Sequence, residues 1–173
     1  MTDKDLSQYI VSVPDFPRKG IEFFDITPLL TTPEAYRYTV EKMAELVAPS
    51  KPTKIMAAES RGFFFGPAIA LKLNLPFVPI RKKGKLPRET IDVEYDLEYG
   101  KDVLCVHRDD IDKNDRLVVL DDILATGGTA EAMCKMAELV GAEVACCAFF
   151  MELGFLNGRN RLKNKTVVSM FVK

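Results

Sequence analysis

Residues 121–129 read Asp-Asp-Ile-Leu-Ala-Thr-Gly-Gly-Thr. An ionised carboxylate only accepts hydrogen bonds, so two in succession suit the neighbouring hydroxyls of a ribose. The small residues, paired glycines and two hydroxyls that follow let backbone amides surround a phosphate, and a helix opening there adds its positive end. A phosphate cradle beside a diol clamp describes a ribose 5-phosphate site. Either half alone is more often structural: carboxylates end strands and glycines turn chains. Both halves in this order favour function. Gly-Lys-Ser/Thr and Gly-x-Gly-x-x-Gly are both absent, so the segment is neither a Walker loop nor a dinucleotide fingerprint.

Other patterns do not hold up. His107-Arg108-Asp109 with Asn114 has kinase catalytic-loop spacing, but the chain lacks a Gly-rich phosphate loop and an Asp-Phe-Gly and is too short for two lobes. Asp110, Asp112 and Asn114 begin an EF-hand pattern, yet Asp115 stands where Gly is needed and Asp121 where Glu is needed, leaving a solvated turn. Cys105 and His107, the single histidine, make only two potential metal ligands. No Ser-His-Asp or Cys-His set has supporting context, which excludes hydrolase chemistry of that type.

The motif needs a strand before it and a helix after it, and the pattern provides both. Arg116 to Asp121 is a β-branched run, and Ala130, Met133, Ala137 and Val140 share one helical face, with Gly141 as the cap. Upstream, Thr32 as N-cap and Pro33 at the first turn predict a helix, the first element of the chain, with Tyr36, Val40, Met43 and Val47 at helical spacing until Pro49 and Pro52. Lys54 to Ala58 and Phe77 to Ile80 read as strands around a helix from Gly66 to Leu73. Val103 to Val106, Val144 to Met151 and Thr166 to Val172 supply further strands. Between them, residues 81–101 are basic, then charged and weakly periodic, which predicts a mobile loop. Alternating strands and helices predict an α/β fold with a mainly parallel central sheet flanked by helices, whose ligands sit at the strands' carboxyl ends.

The chain has 173 residues with 47% hydrophobic content, which suits a single domain over 1–173. Its net charge of -1 gives no excess basicity for nucleic acid, so any phosphate site is local. Cys105, Cys134, Cys146 and Cys147 read as reduced thiols. Together with a polar start lacking an apolar signal region, they predict a cytoplasmic protein that is neither secreted nor membrane-spanning.

Residues 118–129 resemble the phosphoribosyl pyrophosphate motif of the type I phosphoribosyltransferases. The whole chain is similar to their adenine-using members, through Pro14-Asp15-Phe16-Pro17, Asp25-Ile26-Thr27-Pro28, Glu59-Ser60-Arg61-Gly62-Phe63, residues 80–87 and Leu97-Glu98-Tyr99-Gly100. The resemblance implies purine salvage: a glycosyltransferase moving the 5-phosphoribosyl group from phosphoribosyl pyrophosphate to N9 of adenine, giving AMP and pyrophosphate. It implies Mg2+ held by substrate oxygens and water with no direct protein ligand, and a homodimer. It also implies a small N-terminal hood over the base site, about residues 1–35, and a catalytic loop within about 81–101.

Residue by residue, the resemblance assigns Asp121 and Asp122 to the ribose and Ala125, Thr126, Gly127, Gly128 and Thr129 to the 5′-phosphate. Ser60, Arg61, Arg81, Lys82, Lys85 and Tyr99 go to pyrophosphate, with Arg81 reaching the neighbouring subunit's site. Glu98 exchanges a proton at adenine N7, making it catalytic with Arg61. Glu22, Phe23 and Phe24 hold adenine, the Phe23 ring against the base, although Phe24 stands where relatives carry Arg. Ala125 stands where hypoxanthine- and guanine-using relatives carry a titratable Asp, which favours adenine. Two rival readings are a phosphoribosyltransferase for another base, and a regulator that keeps the pocket but binds nucleic acid or a partner protein.

Overall fold

The computed structural model describes residues 6–96 and 101–173, and its chain forms two units, one ending at Lys42 and one spanning Met43–Lys173. In the first unit, strands β1 (Val11–Pro14) and β2 (Glu22–Asp25) pair antiparallel. Between them Asp15 takes a left-handed φ of 58°, and its carboxylate accepts the Gly20 N–H at 2.7 Å. A short helix α1 (Thr27–Leu30) follows, its start fixed by Asp25, which accepts both the amide and the hydroxyl of Thr27 at 2.9 Å. This hairpin and turn correct the expectation that the first element is the helix after Thr32. Four-residue strands, one ending in proline, show too little alternation to stand out.

Helix α2 (Pro33–Val47) matches the predicted span, and Val40, Met43 and Val47 are buried at the predicted spacing. The Thr32 hydroxyl donates back to the Pro28 carbonyl at 3.1 Å.

The second unit holds seven strands: β3 (Lys54–Ala58), β4 (Phe77–Lys82), β5 (Thr90–Asp96), β6 (Lys101–His107), β7 (Arg116–Leu124), β8 (Glu143–Glu152) and β9 (Val167–Val172). They lie in the order β5-β6-β4-β3-β7-β8-β9. The five from β4 to β9 across that order are parallel, as expected, while β6 runs antiparallel to β4 and to β5. Strand β5 corrects the reading of 81–101 as loop throughout. Ile91 and Val93 are buried while Asp92 and Glu94 face solvent, the period-two pattern of an edge strand, masked in sequence by its charges.

Helices α3 (Gly66–Leu73) and α4 (Gly128–Val140) serve opposite faces of this sheet. Met56, Val78, Leu104, Val119 and Phe149 pack with Met133 and Ala137 of α4 in one core. On the other face Phe65, just before α3, stacks on Phe150 with ring centroids 5.5 Å apart. Gly66 lies so close to β3 and β4 that a Cβ would meet the Phe77 ring at 2.7 Å and Ala57 at 2.9 Å. Phe63 and Phe65 are thus packing residues, Phe63 meeting Phe77 edge-on at 5.6 Å.

The topology selects one crevice. From β3 the chain passes through α3 to β4 on one side; from the adjacent β7 it passes through α4 to β8 on the other. Ligands of open α/β sheets bind where the direction of travel reverses, outside the carboxyl ends of those strands. In this chain those ends are Glu59-Ser60-Arg61 and residues 121–129. Among the described residues no helix is long and apolar enough to cross a membrane.

Candidate functional site

Strand β7 runs through both aspartates to Leu124, leaving only Ala125 to Gly127 as the turn into α4. Gly127 adopts φ 86°, a left-handed conformation that costs glycine nothing. No side chain caps the first turn of α4, so its amides stay open to an anion. The turn curls around a pocket of about 70 Å³, lined by Asp121 and residues 125–129 among others. Asp121, Ala125, Thr126, Gly127, Gly128 and Thr129 therefore come together as one concave surface.

Across the crevice, Glu59 and Ser60 are joined by a cis peptide bond, and Arg61–Phe64 is a single 3-10 turn. Gly62 brings this turn against β7: a Cβ there would stand 3.1 Å from an Asp121 carboxylate oxygen and 3.2 Å from the Leu120 carbonyl. Arg61 Nε lies 2.5 Å from Asp122, whose side chain is buried. Burial and the neighbouring Asp122 charge push the Asp121 carboxyl well above the usual range. Burial raises Asp122 as well, against the opposing pull of Arg61. Asp122 already has its cation in Arg61, while Asp121 lines the pocket, where a cation or hydroxyl donor would favour its charged form.

The basic segment leaves β4 beside this turn. Glu59 accepts from the Arg81 guanidinium and, at 3.0 Å, from the Lys82 backbone N–H. Partial burial disfavours its charge, but these bonds hold the Glu59 carboxyl below its ordinary value. Lys82 Nζ lies 3.0 Å from Asp102, a contact that raises the lysine's pKa. The Tyr95 hydroxyl stands 3.4 Å from Asp102 and also meets Thr129, linking β5 and β6 to the phosphate turn. Lys85 and Ser60 are exposed, Lys85 in a turn around Gly84 at φ 78°.

Sequence reasoning gave no role to Glu59, Tyr95 or Asp102. The signal for Glu59 was its place at a strand end next to Ser60-Arg61; Tyr95 on β5 had only that strand's alternation, and Asp102 at the start of β6 had none.

Glu22, Phe23 and Phe24 belong to β2 in the first unit, where Glu22 is exposed, the Phe23 ring meets Phe16 at 5.1 Å and Phe24 is buried. Glu98 and Tyr99 lie outside the described residues. Asp115, the misfit of the EF-hand pattern, is an internal anchor instead, accepting from Lys54 Nζ at 2.8 Å and Thr53 at 3.0 Å. All four cysteines are buried and free. Burial, with Asp92 beside it, pushes the Cys105 thiol up to about 12, so it is not a nucleophile at neutral pH. Among the described residues no three His, Cys, Asp or Glu side chains converge to hold a metal ion alone.

The family model described as "Phosphoribosyl transferase domain" matches residues 29–172. Adenine phosphoribosyltransferase of Carboxydothermus hydrogenoformans is 53% identical over 166 residues, covering 96% of this chain and 98% of its own length. The crystal structure of adenine phosphoribosyltransferase from Thermoanaerobacter pseudethanolicus superposes with a TM-score of 0.97 at 44% identity, covering 99% of this chain and 100% of that one. The Trypanosoma brucei enzyme of that name, solved with AMP, pyrophosphate and ribose-5-phosphate, gives a TM-score of 0.89 at 30% identity over 98% of this chain and 79% of its own.

Proposed function

The chain belongs to the phosphoribosyl transferase family, and on that premise we propose that it is a purine salvage enzyme making AMP and pyrophosphate from adenine and phosphoribosyl pyrophosphate. The observation that carries this reading is the carboxyl end of β7. There the aspartate pair, a phosphate-sized pocket and an arginine-bearing turn meet at the point where the sheet's connections reverse. Relatives bearing the adenine-specific name match over nearly the whole chain, which supports the choice of base.

Residues 125–129 anchor the 5′-phosphate through backbone amides and the α4 N-terminus, and Asp121 and Asp122 orient the ribose hydroxyls. Adenine N9 attacks C1′ with its lone pair while the bond from C1′ to pyrophosphate breaks and its electrons leave with pyrophosphate. The N7 proton passes to the Glu98 carboxylate. Arg61, with Ser60, Lys82 and Lys85, stabilises charge gathering on the leaving group. Asp121 and Asp122 would help hold a Mg2+ ion through its water, and such an ion, carried in by the substrate, would supply further charge neutralisation. Tyr99 helps exclude water from the activated sugar. Glu22, Phe23 and Phe24 hold adenine; with the Phe24 ring buried, the backbone is what that residue presents. The enzyme works in the cytoplasm as a homodimer in which Arg81 serves the neighbouring site.

The test is product formation from phosphoribosyl pyrophosphate and Mg2+ with adenine, hypoxanthine and guanine supplied separately. AMP from adenine alone is expected. Product from another base would reassign the substrate, and no product from any base would overturn the enzymatic reading.

A further inference from the structure

Strand β8 ends at Glu152, whose carboxylate is buried yet fully engaged. Arg159 Nε donates to its two oxygens at 2.7 and 2.8 Å, and the Ser169 hydroxyl of β9 donates at 3.1 Å. Arg159 also donates through a terminal nitrogen to the Val167 carbonyl at 3.1 Å. One guanidinium is thereby fixed to the ends of two strands.

The residue before it, Gly158, has no room for a side chain. A Cβ on Gly158 would stand 2.2 Å from the Ala125 carbonyl oxygen and 3.1 Å from the Leu124 side chain. Reciprocally, a Cβ on Gly127 would stand 2.6 Å from the Gly158 carbonyl oxygen. The backbone of 158 therefore presses on the phosphate turn from outside the pocket, whose lining does not include it. Upstream, the Leu153 N–H donates to the Leu124 carbonyl at 2.9 Å, fixing the start of the segment that leads to Gly158.

Glu152 is buried while the Arg159 side chain is 47% exposed, so the pair adds little stability as an ion pair; what the Arg159 bonds to Glu152 and Val167 fix is the path of the segment through Gly158. Hydrogen bonds to a phosphate fall off steeply with geometry, and here no flexible side chain stands between Gly158 and the turn to absorb a displacement. We propose that Glu152 and Arg159 are positioning residues for the substrate's 5′-phosphate, setting the backbone of residues 125–127 through Gly158. This rests on the reading of 125–129 as the phosphate turn.

The experiment compares E152Q, R159A, R159K and G158A with wild type in steady-state kinetics and in calorimetric titration with ribose 5-phosphate, alongside a core control on the far face, I69A. E152Q, R159A and G158A are each expected to raise KM for phosphoribosyl pyrophosphate and Kd for ribose 5-phosphate about tenfold, with kcat and KM for adenine within about twofold. R159K should recover part of the loss, and combining E152Q with R159A should add nothing, since both break one unit. I69A should lower Tm without this split. If wild type binds ribose 5-phosphate and the variants bind it equally well, or if their losses follow Tm as in I69A, the coupling is overturned. If wild type binds no ribose 5-phosphate, the phosphate reading falls and the coupling with it.

Discussion

Arg61 and Asp122 meet at 2.5 Å across the crevice between β3 and β7. The contact joins the turn after one strand to the carboxylate pair on its neighbour, at the place where the chain's connections diverge. Asp122 is the more buried partner, so the guanidinium is oriented before any ligand arrives.

R61A should lower kcat/KM on the order of 10²–10³, the effect of deleting one donor to a developing anion. It should also destabilise by about 1–3 kcal/mol, because the buried Asp122 carboxylate loses its cation. Adding D122N should restore most of the Tm and none of the activity. A double variant as unstable as R61A would show that the pair is not the cause.

D121N should be more stable and less active than wild type. Burial and the Asp122 charge raise the Asp121 pKa in the folded chain. The native state then holds this proton more tightly than the unfolded state, and the stability so gained is lost as pH rises above the ordinary carboxylate value of about 4. Asparagine cannot ionise, so the Tm difference in its favour should widen from pH 4 upward and reach about 2–4 °C at pH 7, the shift about 1 kcal/mol produces in a chain of this size. Thermal melts across that range check it, and a constant difference would refute it.

G127A should cost about 1–3 kcal/mol and raise KM for phosphoribosyl pyrophosphate at least tenfold, since the new Cβ would have both a left-handed backbone and the Gly158 carbonyl at 2.6 Å to contend with. G141A is the comparison. Its φ is 76°, but the nearest atom to a Cβ is 3.5 Å away, so only the backbone strain of about 1–2 kcal/mol applies and KM should not move.

D102N should lower KM for phosphoribosyl pyrophosphate by up to about fivefold, the reach of an exposed ion pair. Asp102 holds Lys82 at 3.0 Å and competes with pyrophosphate for it. An increase in KM would mean that Asp102 aims Lys82 instead of restraining it. The effect should shrink in high salt.

E98Q should reduce kcat about 10²-fold or more while leaving KM for phosphoribosyl pyrophosphate within about twofold, as loss of proton transfer alone requires. Equal effects on both constants would assign Glu98 to binding.

Much of the frame was legible because its signals are local. The β-branched run before Asp121 can only be a buried strand, the paired glycines with a helical apolar face beyond them make a strand-turn-helix, and Pro33 with Met43 and Val47 marks α2. The hairpin of β1 and β2 was lost because its strands are too short for alternation to register. Strand β5 was lost because Asp92 and Glu94 on its solvent face hid Ile91 and Val93.

The sequence by itself determined the strand-turn-helix chemistry of 118–129 and, through resemblance, the family and its substrate class. The first depends on residue type, spacing and a 3.6- or two-residue period within a dozen neighbouring positions; the second on short motifs spread from Pro14 to Thr129, each of them local. Tertiary structure alone decided that Arg61 meets Asp122, that Asp102 holds Lys82, and that Gly158 braces the phosphate turn while Arg159 is fixed by Glu152. Most of these partners lie well apart along the chain and become neighbours because β3 docks beside β7, β4 beside β6 and β7 beside β8. Strand order follows from how whole faces bury against α3 and α4, a collective outcome that no local pattern encodes.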